Sequence, residues 1–365
     1  MIKEEEKAGR PCVIYGFELS GEDERLPEAE IIALFETYGI EIERISRLNR
    51  LLLLEVRGEG GSPEFHELIS RIALSHLVLE VFALTDATLE EIESAALKMR
   101  ERIRGSYAVD VKIWNNRNFS TLELERLVGS WLYHEGVWVD LKEPGTLVKL
   151  YIIEDKAVMG KVIHTRDRRG FRDRLPHHRP FFAPGVLKPK LARALVNLSR
   201  LKPSERLLDP FAGTGGILLE AGLMGMVVMG LDIQEKMVRG ASENLRELEH
   251  ASLILGDART LPFKDASVDG VVTDPPYGRS SKIKGGSIEM LYRSALCEIN
   301  RILKYGRFAV ILADRPVEEV ITEAGLLVID RYSLRIHRSM IRWIYLLRKD
   351  PGDVHEKVYI AKMRG

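Results

Sequence analysis

The 365-residue sequence has little cysteine, no long hydrophobic run and no excess of charge of either sign. With only Cys12 and Cys297, it cannot build a disulfide framework or a cysteine zinc cluster, and isolated buried thiols are expected. The nine histidines show no metal-ligand spacing, so no metal site is expected. No apolar run reaches the length of a membrane span, and Met1 to Glu6 do not resemble a signal peptide, which favours a cytoplasmic protein without a membrane partner.

The charges balance, with 54 basic residues against 54 acidic residues. A surface for nucleic acid must therefore come from local clusters of charge and not from the net charge. A length of 365 residues with 45% hydrophobic residues indicates two or three domains with cores of their own.

The most informative segment is Asp274-Pro275-Pro276-Tyr277, which follows the apolar run Val268 to Thr273. This run predicts a buried strand, so Asp274 would lie at its carboxyl end, where open α/β sheets bind ligands. An exocyclic base amine is a poor nucleophile and needs acceptors for its N–H bonds. Asp274 and the Pro275 carbonyl would supply them, and Tyr277 would stack on the base. The alternative is an ordinary tight turn after a strand.

A second motif, from Arg206 to Ile217, predicts a strand, a glycine-rich loop and the start of a helix. It differs from the dinucleotide-binding fingerprint, because Leu218 stands at the third glycine position and would crowd a pyrophosphate. Asp209, at the end of the strand, suits the amino group of a methionine moiety better than a phosphate. S-adenosylmethionine is therefore the expected cofactor.

Two further acidic residues follow predicted strands. Asp232 ends Val227 to Leu231, where a carboxylate can accept both ribose hydroxyls, and Asp257 is placed to accept from the adenine amine. Each acid alone could be a loop residue or a helix cap, but four successive strand ends with aspartate favour a ligand site. The residues expected to bind the cofactor are Asp209, Phe211, Gly213, Thr214, Gly215, Asp232, Ile233, Asp257 and Ala258.

On these motifs, the chain from about Phe181 onward resembles the Rossmann-like methyltransferases that modify exocyclic amines of nucleic acids. The segment Arg179 to Pro189, followed by Leu191 to Leu198, is similar to the start of RNA-acting members. More narrowly, the chain resembles the archaeal tRNA guanine-10 methyltransferases, whose N-terminal half carries a THUMP domain. The resemblance implies an α/β fold, with a doubly wound sheet that ends in an antiparallel hairpin, and position 10 of tRNA as the target.

The N-terminal half reads as a smaller α+β region. Alternating strands and one helix over residues 1–62 predict a ferredoxin-like unit, and Gly58 to Pro63 would end it. Helices are expected over Glu64 to Glu80 and Leu89 to Arg104, and further strands lead to Ile163. The predicted domains are residues 1–62, a THUMP domain over 63–165, a basic linker over 166–184 and a methyltransferase domain over 185–365. By family resemblance, THUMP domains grip the acceptor end of tRNA.

The densest basic stretch runs from Lys161 to Arg179, with seven basic residues against two acidic ones and hence a net charge of +5. Such spacing suits phosphate contacts, although a solvated linker is the alternative. The residues expected to bind RNA are Lys161, Arg166, Arg168, Arg169, Arg172, Arg174 and Arg179. A second basic cluster, Arg331 to Arg342, would flank the base pocket or form an exposed strand face. The polar loop Arg279 to Gly286 would order over the base or remain a plain loop.

The sequence therefore predicts a tRNA methyltransferase that uses S-adenosylmethionine and acts on the exocyclic amine of guanosine. Asp274, Pro275, Pro276 and Tyr277 are the expected catalytic residues. Partners are tRNA, through its acceptor end and core, with no obligatory protein partner evident. The alternatives are methylation of another nucleic-acid base or of a protein glutamine, or a non-catalytic tRNA-binding protein.

Overall fold

The computed structural model describes residues 12–21, 23–57, 61–277, 287–337 and 340–350. Up to Thr165 the strands and helices alternate irregularly. They are β1 (Cys12–Leu19), α1 (Leu26–Tyr38), β2 (Ile42–Leu48), β3 (Leu51–Arg57), α2 (Pro63–Arg71), β4 (Ser75–Asp86), α3 (Leu89–Arg100), β5 (Gly105–Trp114), α4 (Thr121–Leu132), β6 (Val137–Val139), β7 (Thr146–Ile153) and β8 (Lys156–Thr165).

From Arg168 onward, most strands are separated by a helix. They are α5 (Arg168–Asp173), α6 (Pro189–Leu198), β9 (Arg206–Asp209), α7 (Gly216–Gly222), β10 (Val227–Asp232), α8 (Glu235–Asn244), β11 (Ala251–Leu255), β12 (Val268–Thr273), α9 (Ile288–Ile302), β13 (Leu303–Ala313), α10 (Glu318–Glu323), β14 (Leu326–His337) and β15 (Met340–Lys349).

The chain divides into two compact units. Unit 1 contains the residues up to Gly21, Gly39–Ser70 and Ser75–Arg166. Its eight strands form one sheet in the order β2-β3-β1-β4-β8-β7-β5-β6. Helices α3 and α4 cover this sheet through Ile92, Val128 and Leu150, which are fully buried. The predicted ferredoxin-like strands and the predicted THUMP strands therefore share a single sheet.

The expected helix over Glu64 to Glu80 is wrong beyond Arg71. Helix α2 ends there, and Ser75–Asp86 forms the central strand β4, which pairs antiparallel with both β1 and β8. The segment Leu77 to Val81 fits helical and extended periodicity alike. Hydrogen-bonded pairing along both of its edges stabilises the extended conformation, because tertiary context overrides local preference.

Unit 2 contains Glu22–Tyr38, Arg71–Leu74 and the residues from Asp167 onward. Its seven strands follow the order β11-β10-β9-β12-β13-β15-β14, and all are parallel except β15, which is antiparallel to both of its neighbours. The predicted doubly wound sheet with a C-terminal antiparallel hairpin is confirmed. Helix α1, which comes early in the chain, belongs to this unit and buries Leu26 and Ala33 in its core.

Glu30 connects the separate chain segments of unit 2 through hydrogen bonds. Its side chain is fully buried, and its carboxylate accepts the N–H groups of Ala73 at 2.9 Å and Leu74 at 2.7 Å. The side-chain amide of Asn197, on α6, donates to the same carboxylate at 2.7 Å. Burial raises the pKa of Glu30. These three donors account for a buried acid that lies away from the strand ends.

Cys12 and Cys297 are both exposed, so the expectation of buried thiols is wrong. Cys297 lies on the outer face of α9, whose buried residues include Leu296 and Ile299. Within the described ranges, no helix is long and apolar enough to cross a membrane.

Candidate active site

The strand order of unit 2 changes direction between β9 and β12, and the crevice at such a switch point is where open α/β sheets bind ligands. Asp209 ends β9 and Asp274 follows β12. The hydroxyl of Thr273, the last residue of β12, donates to Oδ1 of Asp209 at 2.6 Å. The two predicted acids therefore lie at the ends of neighbouring strands.

Asp209 is 2% exposed, and its Oδ1 also accepts the N–H of Phe211 at 3.1 Å. Burial raises the pKa of Asp209 to about 7, with further upward contributions from Asp274 and Asp232. A buried carboxyl with such a pKa gains most from a cationic ligand group, because that group offsets the cost of burying its charge.

The glycine-rich loop after β9 is held by the next strand. Gly213 and Gly215 have φ of 50° and 76°, in the left-handed region that favours glycine. The N–H of Gly213 donates to Oδ2 of Asp232 at 3.0 Å, and the N–H of Gln234 donates to Oδ1 at 2.9 Å. Burial raises the pKa of Asp232. A carboxylate has further lone pairs, so Asp232 retains acceptor capacity for hydroxyl groups.

Asn244, at the end of α8, fixes the same loop from the other side. Its amide nitrogen donates to the carbonyl oxygens of Thr214 and Phe181, both at 2.9 Å, and its oxygen accepts the Phe181 N–H. Phe181 packs so closely on Gly240 that a Cβ there would lie 2.1 Å from the ring. The segment before α6 is thus bound to the glycine-rich loop, in which Thr214 is buried.

The ends of β10 and β11 form an apolar ledge with an acid beside it. Ile233 is 43% exposed and Leu255 is 55% exposed, and Leu255 pairs with Asp232 in the parallel register. Asp257 follows at the next turn and forms a bidentate ion pair with Arg259, which lowers the pKa of Asp257. The buried Ala258 stands between them. Exposed apolar side chains of this kind can pack against a flat aromatic ring, and the carboxylate of Asp257 keeps lone pairs for a hydrogen-bond donor.

Asp274 lies beside Tyr277 and Arg342. The Tyr277 hydroxyl donates to Oδ1 of Asp274. Nη2 of Arg342, on β15, is 3.7 Å from Oδ2, and its guanidinium lies 5.7 Å from the centre of the Tyr277 ring. Burial raises the pKa of Asp274, while Arg342 and Tyr277 oppose the rise. Pro275 is buried and Pro276 is partly buried, which fixes the turn after the strand.

The expected RNA-binding residues fall into two groups. Lys161, Arg168, Arg169 and Arg172 are exposed, the last two beside Asp173 in ion pairs of 3.6 and 3.7 Å. The other three are at least partly buried, because they take part in packing inside their own units. They are Arg166, which lies 3.3 Å from His76, Arg174, which pairs with Glu220, and Arg179.

In the second basic cluster, Arg342 reaches Asp274, whereas Arg331 forms an ion pair with Glu318 and Arg335 is exposed. The side chains of His337 and Arg338 lie outside the described residues. So does the loop Arg279 to Gly286, together with Gly278.

Sequence reasoning placed Arg342 only in a general basic cluster and missed Asn244 and Arg259 as parts of the site. Arg342 reaches Asp274 through the antiparallel pairing of β13 and β15, in which Ala313 lies opposite Trp343. A cation on a strand that pairs with β13, the neighbour of β12, is the signal that could have identified it. Asn244 and Arg259 carry no comparable signal.

Two family models match the chain. The model of the RMKL-like methyltransferase domain matches residues 176–340, and the THUMP domain model matches residues 86–161.

This chain is similar to curated proteins and to solved structures over most of its length. It is 35% identical to the tRNA (guanine(10)-N2)-dimethyltransferase of Methanothermobacter thermautotrophicus, covering 91% of this chain and 98% of that protein. The enzyme of the same name from Pyrococcus abyssi is 34% identical, over 88% and 95% of the two chains. The crystal structure of TrmN from Thermus thermophilus aligns with a TM-score of 0.56 at 23% identity, over 92% and 99% of the two chains, and this likeness shows the fold.

Proposed function

Since the chain belongs to the tRNA (guanine(10)-N2)-dimethyltransferase family, we propose that it transfers methyl groups from S-adenosylmethionine to the exocyclic N2 amine of guanosine at position 10 of tRNA. The observation that carries this proposal is the position of Asp274 and Tyr277 at the switch point of the sheet, next to the glycine-rich loop of β9. An acid and an aromatic ring there suit an amine on a planar base.

The residues around the loop fit the cofactor group by group. Asp209 suits the ammonium of the methionine moiety, because its buried carboxyl lacks a cation among its hydrogen-bond donors in the described structure. Asp232 suits the ribose hydroxyls, and Asp257 suits the adenine amine above the ledge of Ile233 and Leu255. Phe211, Thr214 and Ala258, which lie within two residues of Asp209, Gly213 and Asp257 in sequence, remain candidate contacts of the cofactor.

When bound, S-adenosylmethionine supplies a methyl group activated by its sulfonium. Tyr277 stacks on the guanine ring, and Asp274 accepts one N–H of the amine, which directs the nitrogen lone pair toward the methyl carbon. Asp274 then takes the proton that the amine loses. Burial makes this carboxylate a stronger base, and Arg342 keeps it ionised by holding a positive charge nearby.

The pKa of Asp209 predicts how cofactor affinity depends on pH. Since the folded pKa of about 7 lies above the ordinary value, the carboxyl carries a proton below pH 7 and cannot pair with an ammonium. Affinity for S-adenosylmethionine should therefore fall as the pH drops through 7, by up to about 10-fold per pH unit. Titration calorimetry between about pH 5.5 and 7.5 measures this. Asp209→Asn is expected to bind more weakly and with a flat profile, and a flat profile in the wild type contradicts the assignment.

The substrate partner we propose is tRNA, held through its acceptor end and core by the region that matches the THUMP model and by exposed basic residues. Arg168, Arg169 and Arg172 lie on or beside the short helix α5, where the side chains of all three reach solvent. We retain these three, with Lys161, as candidate phosphate contacts. The exposed ion pairs of Arg169 and Arg172 with Asp173 cost little to exchange for phosphate contacts.

Replacing Arg168, Arg169 and Arg172 with alanine should weaken tRNA binding roughly 10-fold and reduce the salt slope of binding by about 2 to 3, since each lost phosphate contact retains one counterion. Cofactor affinity should not change. Filter binding over a range of salt concentrations measures both quantities. The matched control replaces the exposed Lys202, Arg246 and Lys264, which removes the same charge from the same unit. An equal loss in the control would show a general charge effect and contradict a specific contact.

Mass spectrometry of nucleosides tests the proposed function. Unmodified tRNA is incubated with the full chain and S-adenosylmethionine, digested and mapped. The expected products are N2-methylguanosine and N2,N2-dimethylguanosine at position 10. Methyl groups on adenine or on cytosine, or binding of tRNA without transfer, would overturn the proposal in favour of one of the other activities.

A further inference from the structure

Arg179 is a buried cation that the proposed function leaves without a role. It is 8% exposed, and its Nε donates to the carbonyl oxygen of Arg174 at 3.1 Å. Nη1 and Nη2 are both buried and have no hydrogen-bond partner among the described residues. Burial lowers the pKa of Arg179. A guanidinium buried with two unsatisfied nitrogens is costly unless an acceptor joins it.

The nearby acid is already occupied by other arginines. Glu220, on α7, is fully buried, and its Oε1 accepts Nε of Arg174 at 2.7 Å. Its Oε2 accepts Nε of Arg193 at 2.9 Å and Nη2 of Arg174 at 3.2 Å. The negative charge of Glu30 also favours the charged form of Arg193. Within the described residues, the hydrogen bonds that Glu220 accepts thus come from Arg174 and Arg193, and none of them comes from Arg179.

The unpaired end of Arg179 lies against the glycine-rich loop. A Cβ on Gly216 would lie 2.7 Å from Nη1, so only a glycine leaves this approach open. Gly216 directly follows Gly215, and the loop is tied to Phe181, two residues after Arg179, through Asn244. The unpaired end of Arg179 therefore lies at the start of α7, directly after the glycine-rich loop that is assigned to the cofactor.

We propose that Arg179 binds the α-carboxylate of the cofactor, an assignment that rests on the proposed function. The acids at the strand ends suit the ammonium, the ribose hydroxyls and the adenine amine, all of which are donors. The carboxylate is the single anionic group of S-adenosylmethionine and lacks a partner among those acids. A guanidinium matches it, because two parallel N–H groups can donate to its two oxygens. Arg179 accordingly acts on the cofactor and not on RNA phosphates.

The test compares S-adenosylmethionine with decarboxylated S-adenosylmethionine, which lacks only this carboxylate. Calorimetry of the full chain should show wild type binding the complete cofactor more tightly. Arg179→Gln should lose about 10-fold or more in affinity for S-adenosylmethionine and stay within about 2-fold for the decarboxylated compound. Arg179→Lys should recover part of the lost affinity, because lysine keeps the positive charge but lacks the two parallel N–H donors of a guanidinium. The control, Arg246→Gln, changes an exposed arginine of the same unit.

The outcomes are separable. Equal weakening of both ligands by Arg179→Gln, or no weakening of either, overturns the inference and assigns Arg179 a packing role. If Arg179→Gln does not fold, the wild-type protein still tests the inference. Equal wild-type affinity for S-adenosylmethionine and its decarboxylated form would exclude a bound carboxylate. A wild-type chain that binds neither compound contradicts the proposed function itself.

Discussion

Asp274→Asn is expected to reduce kcat for tRNA methylation by about 100-fold or more, while the dissociation constants for S-adenosylmethionine and tRNA change little. The asparagine is isosteric, yet its amide cannot take the proton of the substrate amine and can present a donor to it. A group that acts mainly in the transition state lowers kcat and kcat/KM together. Single-turnover methylation, combined with calorimetry and filter binding, measures the three quantities.

A matched control is Asp265→Asn, which neutralises an exposed acid of the same unit beside Arg301. Its rate should equal that of the wild type. Methylation by Asp274→Asn within a few-fold of the wild-type rate would remove Asp274 from the chemical step. A large loss of tRNA affinity with an unchanged rate would make it a binding residue instead.

Glu30→Ala is expected to destabilise unit 2 by about 3 kcal/mol or more. The change leaves the N–H groups of Ala73 and Leu74 and the amide of Asn197 without their acceptor, and each buried donor without a partner costs about 1–3 kcal/mol. At about 2–4 °C per kcal/mol for a unit of this size, the melting midpoint should fall by roughly 6–12 °C. Thermal unfolding followed by circular dichroism measures the shift.

The exposed Glu319 of α10 provides the control, because Glu319→Ala removes the same side chain without a buried donor. Its midpoint should shift by about 1–2 °C at most, in line with surface substitutions. If the melting midpoint of Glu30→Ala fell no further than that of Glu319→Ala, the hydrogen bonds to Glu30 would not stabilise the unit.

Much of the candidate site could be predicted because its parts are local in sequence. Each predicted acid lies at the end of a short apolar run or within two residues of it, and parallel strands bring their carboxyl ends to one edge of a sheet. The same four residues therefore indicated both the fold and the candidate site, namely Asp209, Asp232, Asp257 and Asp274. The antiparallel hairpin that β14 and β15 form was expected from the family resemblance.

The rest depends on contacts between distant parts of the chain. Periodicity could not show that Ser75–Asp86 pairs on both edges, nor that α1 belongs to the unit formed by the C-terminal half. A division at residue 185 would separate Glu30 from Asn197. Arg342 joins Asp274 only through sheet pairing, and the partner of Arg174 is fixed by the packing of α7. Long-range pairing of this kind leaves no pattern in a local window.

The discontinuity of unit 2 has a consequence for the order of events during synthesis. Helix α1 leaves the ribosome with the first strands, whereas α6, on which Asn197 lies, is translated only after β8 is complete. Until then Leu26 and Ala33 have no apolar partner from the C-terminal half. The sheet of unit 1 can close first, because all of its strands precede Arg166. The nascent chain therefore carries this apolar face of α1 without its C-terminal partners until α6 has been translated, a period in which chaperone binding would protect it from aggregation.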